Sequence, residues 1–230
     1  MSTQPWKCAL VTGGGGGLGK VFAQSLIKRG KTVYIAGRTE SSLAKTAKEI
    51  GAAGYFVVDV GDLDSLPAFA EKVFKEAPEV DCLINNAGIQ KPLSFTTGVD
   101  LKTIKQEIDI NITGLVQLCA LFVPHLLKKP HAAIMNVGSG LAYVPIPVVP
   151  VYCATKALSR ALRYPCANNF DNNKKANAPH SLSQEEWIAE VEKGWDAGKE
   201  EIGAGMSQMA IDKWRDAFGE MQKQFAGQSH

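Results

Sequence analysis

The chain has 230 residues, 45% hydrophobic and 21% charged, which is enough apolar sequence for a folded core and excludes a disordered or fibrous protein. Its 25 basic and 23 acidic side chains nearly balance, so the formal charge of +2 favours neither nucleic acid nor an anionic membrane as a partner. Five scattered cysteines without a CxxC pair are typical of free thiols in a reducing compartment and indicate no metal site. Because no N-terminal signal and no apolar run of roughly 18 residues is evident, we expect a soluble, cytoplasmic protein.

Short apolar runs alternate with amphipathic segments through the first two thirds of the chain, a pattern that predicts βαβ units around a parallel sheet. The predicted strands are 8–11, 32–36, 55–58, 83–84 and 132–137. The predicted helices are 21–29, 41–50, 65–75, 101–123 and 154–162. We expect one α/β domain that covers residues 1–230.

The sequence changes character after Tyr164. Residues 165–180 are rich in asparagine and poor in large apolar side chains, which predicts an irregular loop and a sheet truncated after the fifth strand. Helical spacing returns at 184–195 and 209–218, with at most a weak edge strand at 201–204. Residues 181–221 are therefore expected to form a helical C-terminal part, and the tail from 222 onward is expected to fray.

Five consecutive glycines, within the segment from Thr12 to Gly19, lie between the first predicted strand and the first predicted helix. Glycines in this position let the chain turn with positive φ and let backbone N–H groups approach a pyrophosphate at the N-terminus of the helix. A run of glycines is also typical of a flexible linker. Since a linker has no reason to follow a buried strand directly, the position favours a phosphate-binding loop.

The spacing Thr-Gly-x-x-x-Gly-x-Gly resembles that of the short-chain dehydrogenase/reductase family. It is formed by Thr12, Gly13, Gly17 and Gly19, with Leu18 in the same turn. The resemblance implies a Rossmann-type doubly wound parallel sheet that binds a nicotinamide cofactor.

Two further motifs of the family follow later strands. Asp59 and Val60 come after the third strand and resemble the pair that contacts the adenine edge. The segment Asn85-Asn-Ala-Gly88 comes after the fourth strand, and the resemblance places Asn86, Ala87 and Gly88 along the adenine ribose. Both motifs lie where open α/β sheets bind ligands, at the carboxyl ends of the strands.

The end of the second strand predicts which cofactor is preferred. Rossmann folds that bind NAD place a carboxylate there for the ribose 2′-hydroxyl, whereas this chain has Gly37 followed by Arg38. A guanidinium matches a 2′-phosphate bidentately, and the missing carboxylate removes the repulsion that would exclude it. The resemblance therefore implies NADP. The alternative interpretation is that Arg38 is a solvated residue of a βα loop.

Tyr152 and Lys156 are spaced i and i+4, which places them on one face of a predicted helix. An ammonium close to a phenol stabilises the phenolate and suits it to proton transfer at a carbonyl oxygen. A lysine that merely extends past a half-buried tyrosine is the alternative for an isolated pair. This pair is not isolated, because further residues of the family's catalytic set are present.

Ser139 precedes Tyr152 at the separation that the family uses between its serine and its tyrosine. The resemblance implies that Ser139 hydrogen-bonds the substrate oxygen, that Tyr152 transfers the proton and that Lys156 also binds the nicotinamide ribose. Asn111, within the predicted long helix, matches the fourth member of the set. In the family, the main-chain carbonyl of that residue positions a water of the proton relay.

Residues 144–150 lie between Ser139 and Tyr152 and are apolar, with three prolines that fix φ. One interpretation is a hydrophobic wall of the substrate cleft, suited to an apolar ketone or secondary alcohol, and the other is a rigid structural loop. Residues 180–191 and 198–202 resemble the C-terminal part of a family branch labelled for D-alanine esterification of teichoic acids.

Together these features predict an NADP(H)-dependent oxidoreductase that transfers hydride between nicotinamide and a ketone or secondary alcohol. The alternative is an NADP(H)-binding protein with little or no catalysis, because a loop replaces the family's sixth strand. An epimerase or dehydratase is less favoured, because such relatives space their glycines differently. The expected partners are a small carbonyl or alcohol substrate and a second copy of the chain in a homodimer.

Overall fold

The computed structural model describes residues 5–95, 98–162, 166–168, 184–199 and 201–226. Within these residues the strands are β1 (Cys8–Thr12), β2 (Thr32–Gly37), β3 (Gly54–Val57), β4 (Cys82–Asn85), β5 (Ala133–Gly138), β6 (Cys166–Asn168) and β7 (Glu201–Ile202). All neighbouring strands pair in parallel, in the order β3-β2-β1-β4-β5-β6-β7. The order changes direction between β1 and β4, which is the arrangement of a doubly wound Rossmann-type sheet. The predicted α/β fold class is confirmed.

Helices connect the strands and cover both faces of the sheet. In the described ranges they are α1 (Gly17–Lys28), α2 (Glu40–Ile50), α3 (Leu66–Glu76), α4 (Leu101–Ile108), α5 (Gly114–Leu126), α6 (Pro150–Ala161), α7 (Gln184–Asp196) and α8 (Met206–Ala226). Short 3₁₀ turns occupy Leu63–Ser65 and Gly140–Ala142, and a π-helical turn occupies Asp109–Thr113.

The central strands are buried on both faces, as expected for a parallel sheet between two helical layers. In β1, Ala9 and Val11 belong to the apolar cluster under α1, α2 and α7. Cys8 and Leu10 belong to the cluster under α3 and α5. This two-sided burial explains why β1 reads as a continuous apolar run rather than as an alternating one.

Beyond β5 the sheet continues through two short strands. Strand β6 corrects the expectation of an unbroken irregular loop at 165–180, and β7 lies within 201–204, where a weak edge strand is expected from the sequence. Cys166–Asn168 pairs with Asn136–Gly138 of β5, and Cys166–Ala167 pairs with Glu201–Ile202. The backbone groups at the edge of β5 require hydrogen-bond partners. The three residues of β6 supply such partners, although their sequence has no strand-like pattern. The predicted truncation therefore takes the form of a sheet with five strands of four to six residues followed by strands of three and two. The rest of 165–180 and the tail at 227–230 lie outside the described residues.

The long helix predicted at 101–123 is helical throughout Leu101–Leu126. The π-helical turn lies in its middle and separates α4 from α5. By length and composition alone this helical segment is apolar enough to cross a membrane, since an 18-residue stretch within it has a mean hydropathy of 1.3, which the sequence-based expectation overlooked. Its α5 half packs Leu118 and Phe122 into the core under the sheet. That packing is typical of the core helix of a folded domain.

Candidate active site

The carboxyl edge of the sheet gathers the predicted site residues, each following a different strand. Thr12 ends β1, Asn86 follows β4 and Ser139 follows β5, in the middle of the sheet. Arg38 and Asp59 follow β2 and β3, toward one side. The adjacent strands β1 and β4 meet where the strand order reverses, which is the place where open α/β sheets bind ligands.

The glycine run forms a tight turn that leads directly into α1. Gly13 and Gly17 have φ of +68° and +52°, a region that side chains other than glycine rarely adopt. A Cβ built on Gly19 would overlap the carbonyl oxygen of Gly13 and lie 2.5 Å from Nδ2 of Asn86. By contrast, a Cβ on Gly16 would meet nothing within 4 Å. The run is therefore a packed turn with specific glycine positions, which disagrees with the interpretation as a flexible linker.

Thr12 and Asn86 tie the ends of β1 and β4 together. The hydroxyl of Thr12 accepts hydrogen bonds from the backbone N–H groups of Asn86 and Ala87, both at 3.1 Å. In return, Nδ2 of Asn86 donates to the carbonyl oxygen of Thr12 at 2.9 Å. These bonds fix the backbone at the strand reversal. Gly88, two residues after Asn86, lies close to Asn111, since a Cβ on Gly88 would lie 3.2 Å from Asn111 Oδ1.

Arg38 and Asp59 stand in different environments. Arg38 is exposed and makes no hydrogen bond or ion pair with the part of the chain that the structure describes. Its neighbour Gly37 is adjacent to the glycine turn, since Leu43 lies 3.5 Å from the Cβ position of both Gly15 and Gly37. Asp59 accepts a hydrogen bond from the N–H of Gly61 at 2.9 Å, which orders the turn after β3. Arg38 thus remains available for an anionic ligand beside the glycine turn.

Tyr152 and Lys156 lie on one face of α6 and are at most 3% exposed. The ammonium of Lys156 lies 5.6 Å from the ring centroid of Tyr152 and donates to the carbonyl oxygen of Val137 at 2.8 Å. Val137 is on β5, so this bond fixes the lysine against the sheet. A buried ammonium held beside a phenol stabilises the deprotonated phenol, which is what proton transfer requires.

Ser139 is buried at the end of β5, where it caps the 3₁₀ turn Gly140–Ala142. Its Oγ accepts a hydrogen bond from the N–H of Leu141 at 3.2 Å. Because the oxygen accepts this bond, the hydroxyl hydrogen can donate to another oxygen. Leu141 also packs against the small apolar cluster that contains Tyr152, so the serine and the tyrosine border the same turn.

Asn111 lies within the π-helical turn, and its side chain is buried. It holds the backbone of Ile89 at both ends, accepting from the N–H at 2.9 Å and donating to the carbonyl at 2.7 Å. Its amide also donates to the hydroxyl of Thr155 at 3.2 Å. π-helical turns are frequent at functional sites, because the extra residue re-aims a side chain or a carbonyl. The role of the Asn111 carbonyl toward a water stays a prediction.

Sequence reasoning assigned no role to two polar residues that support the site, Thr155 and Asn85. Thr155 receives the bond from Asn111 and donates to the carbonyl oxygen of Tyr152 at 2.8 Å, which links the π-helical turn to α6. Its position three residues after Tyr152 is typical of a hydroxyl that bonds back within a helix. On the sheet, Asn85 donates to Asn136 at 2.9 Å and lies beside Cys119, whose pKa is raised to about 11 by burial. No local pattern predicts that cross-strand amide pair.

The apolar segment before Tyr152 is exposed along most of its length. Val144 and Val148 are 61% and 60% exposed, and the N–H of Leu93 donates to the carbonyl oxygen of Val148 at 2.9 Å. The segment therefore joins the loop after β4 to the start of α6, the helix that carries Tyr152 and Lys156.

Comparisons with known proteins agree with this architecture. A family model described as short chain dehydrogenase matches residues 7–173. An uncharacterised oxidoreductase of Bacillus subtilis, DltE, is 37% identical over 84% of this chain and 86% of its own length. This match agrees with the resemblance of the C-terminal part to the family branch labelled for D-alanine esterification of teichoic acids. Two further curated relatives align over only 51% and 50% of their own length.

Solved structures extend the comparison. A short-chain dehydrogenase from Sphingobium yanoikuyae in complex with NADPH superimposes with a TM-score of 0.78 over 97% of this chain and 96% of its own, and its identity of 22% shows the fold alone. A 3-ketoacyl-(acyl-carrier-protein) reductase from Brucella melitensis complexed with NADH is 30% identical, with a TM-score of 0.63 over 68% of this chain and 67% of its own. The match of the family model over most of the chain and the extended identity to DltE show that the chain belongs to the short-chain dehydrogenase family.

Proposed function

We propose that the chain is an NADP(H)-dependent oxidoreductase that interconverts a ketone and a secondary alcohol, with Tyr152 as the proton-transfer residue. The observation that carries this proposal is the buried pair on α6: Lys156 is fixed on Val137 and held beside the Tyr152 ring. A structural lysine would extend its ammonium into solvent, whereas this one is buried at the carboxyl edge of the sheet.

The glycine turn fits a nucleotide. The turn leaves no room for a Cβ at Gly19, and it lies at the N-terminus of α1, where backbone N–H groups favour a pyrophosphate. Thr12, Gly13, Gly17 and Leu18 would hold that group together with Gly19. Asp59, Val60, Asn86, Ala87 and Gly88 would line the adenosine part.

NADP is proposed over NAD on the chemistry of Arg38. The two solved relatives described above were obtained with NADPH and with NADH, so family membership leaves the choice open. Arg38 supplies an exposed guanidinium next to the glycine turn, and Gly37 leaves no carboxylate at the end of β2 to repel a 2′-phosphate. The ratio of the Kd values for NADPH and NADH measures this preference directly.

The chain's own residues would bind the oxygen of the substrate and exchange a proton with it. The bound nicotinamide supplies or accepts the hydride. Ser139 donates its hydroxyl hydrogen to the substrate oxygen, and Tyr152 gives or takes the proton there. Lys156 stabilises the phenolate form of Tyr152 and would also bind the nicotinamide ribose. Asn111 holds the loop at Ile89 against the catalytic helix through Thr155.

The exposed valines at 144 and 148 favour an apolar substrate. They lie within the ten residues before Tyr152, on a segment that three prolines make stiff. An apolar wall beside a buried proton donor binds hydrocarbon parts of a ketone better than charged ones. The highest kcat/KM is therefore expected for an apolar ketone, and a preference for small charged ketones would contradict this part of the proposal.

We also propose a cytoplasmic homodimer formed through α5 and α6. Val116 on α5 and Leu158 on α6 are apolar side chains that are 39% and 38% exposed. Light scattering after size-exclusion chromatography measures the mass, and a monomer would contradict the dimer.

Replacing Tyr152 with phenylalanine tests the function. Tyr152→Phe removes the proton donor while keeping the ring in its buried place, so turnover of NADPH with a panel of ketones should fall by about a hundredfold or more. The Kd for NADPH, measured by quenching of tryptophan fluorescence, should change by less than about twofold. Equal turnover in wild type and variant would contradict the assignment. NADPH binding without turnover in the wild type would favour the alternative of a cofactor-binding protein.

A further inference from the structure

The C-terminal helix α8 packs against the turn that follows Ser139. Ser207, in the first turn of α8, is fully buried. A Cβ built on Gly140 would lie only 2.6 Å from Oγ of Ser207, so the two backbones approach closely at a place where a side chain at 140 would not fit. Ile211, one turn further along α8, is also fully buried. The start of α8 is therefore fixed directly beside the catalytic serine's own turn.

A second contact lies two turns further along α8. The guanidinium carbon of Arg160 lies 4.3 Å from the ring centroid of Tyr143 and 3.9 Å from that of Trp214. Arg160 thus stacks between an aromatic ring of the segment after Ser139 and an aromatic ring of α8. We call these three side chains the aromatic clamp (Tyr143, Arg160 and Trp214). A planar guanidinium suits such stacking, whereas a lysine ammonium does not stack in the same way.

Arg160 lies on the catalytic face of α6. Tyr152, Lys156 and Arg160 are spaced four residues apart, so successive turns of the helix carry the proton donor, the ammonium and the clamp. One face of α6 therefore carries both the proposed catalytic side chains and the arginine that contacts α8.

The aromatic clamp also reaches Ser139. Tyr143 directly follows the 3₁₀ turn Gly140–Ala142, and the N–H of Leu141 within that turn donates to Oγ of Ser139. Leu141 packs on the cluster that contains Tyr152. Any shift of the turn would move the hydrogen bond to Ser139 and the packing on Tyr152 together.

We propose that Arg160 and Trp214 are positioning residues. The aromatic clamp connects α8 to the turn after Ser139 and holds that turn in place, so that the C-terminal helix completes the catalytic geometry. This proposal rests on the proposed function for its kinetic consequence. Its structural consequence, the ordering of residues 140–143 by α8, does not depend on that function. If α8 only stabilised the fold, variants of the clamp would weaken cofactor binding and catalysis alike. The proposal predicts instead that such variants lower catalysis and leave cofactor binding nearly unchanged.

Trp214→Leu and Arg160→Gln test the proposal in the full-length protein. Both should lower kcat for a ketone by about ten- to a hundredfold, because a small misplacement of Ser139 weakens contacts made in the transition state. The Kd for NADPH should stay within about twofold of the wild type, because the glycine turn follows β1, which is two strands away from β5 in the sheet. Amide hydrogen exchange of residues 140–143 should become faster in both variants, a readout that needs no turnover.

Two further variants serve as controls. Trp214→Phe keeps an aromatic ring and should restore kcat to near the wild-type value, whereas Met209→Ala, at a residue of α8 that is 58% exposed, should leave kcat and exchange unchanged. Unchanged kcat and exchange in Trp214→Leu and Arg160→Gln would overturn the proposal. A parallel loss of NADPH affinity and kcat, without faster exchange at 140–143, would overturn it too. If the wild type does not turn over any ketone, the exchange measurement still decides the clamp, and the failure belongs to the proposed function alone.

Discussion

Within residues 5–95, the turn from Thr12 to Gly19 is fixed by close backbone approaches, whereas large side chains provide most of the attachment of residues 184–199 and 201–226 to the rest of the molecule. In the first region, Gly19 packs on the backbone of Gly13, and Thr12 bonds the backbone after β4. In the second, Trp187 and Trp195 pack on Phe22 of α1, with ring centroids 5.8 Å and 5.1 Å apart.

The difference shows how one chain combines two kinds of constraint. Close backbone approach demands particular residues at fixed spacings. Only glycine leaves room for a second backbone segment, and only a short hydroxyl side chain can accept a hydrogen bond from a backbone that lies so near. Aromatic packing demands volume rather than a fixed spacing. The second region contributes only the two residues of β7 to the sheet, so its side chains rather than strand hydrogen bonds attach it to α1 and α6.

The largest effect is expected from breaking the aromatic attachment. Trp187 is fully buried between α7 and α1, and Trp187→Ala should lower the free energy of unfolding by about 3 to 5 kcal/mol. Urea unfolding followed by circular dichroism measures the change. Leu127→Ala, at a residue that is 80% exposed, is the matched control and should change stability by less than about 0.5 kcal/mol. A loss below about 1 kcal/mol for Trp187→Ala would show that α7 does not depend on this contact.

A smaller effect is expected from breaking the backbone approach, and it should appear in binding. Gly19→Ala forces the glycine turn to open, since a Cβ there overlaps the carbonyl oxygen of Gly13. The affinity for NADPH should fall by about a hundredfold, equivalent to about 2.7 kcal/mol. The matched variant Gly16→Ala places its Cβ in open space and should bind within about threefold of the wild type. Fluorescence titration compares the two, and equal affinities would contradict the assigned glycine positions.

The sequence predicts the chain from β1 to α6 well because the constraints there are local. The order of β1 to β5, the glycine turn and the spacing of Tyr152 and Lys156 each depend on a short pattern, and the observed elements differ from the predicted ones by a few residues at their ends. The interruption of the long helix at Asn111 was not predicted, because a π-helical turn has no distinct local pattern and depends on the contact with Ile89.

The second region is less predictable for a physical reason. Strand β6 pairs with the edge of β5 although residues 166–168 carry no strand-like sequence pattern, whereas β7 pairs with β6 and lies within the weak edge strand expected at 201–204. Likewise, the apolar spacing of Trp187 and Trp195 predicts a helix but not its partner. The stacking of Trp214 on Arg160 joins residues 54 positions apart and depends on the finished fold.

The buried residues at the carboxyl edge of the sheet are proposed to catalyse hydride exchange with a carbonyl. Incubating the wild-type protein with a ketone and NADPH deuterated at C4, in each of the two configurations, tests this activity directly by mass spectrometry of the product. One of the two cofactors should yield an alcohol that is one mass unit heavier, with the deuterium on the carbinol carbon. NADPH binding seen by fluorescence, with no deuterium in any alcohol across an apolar ketone panel, would contradict it.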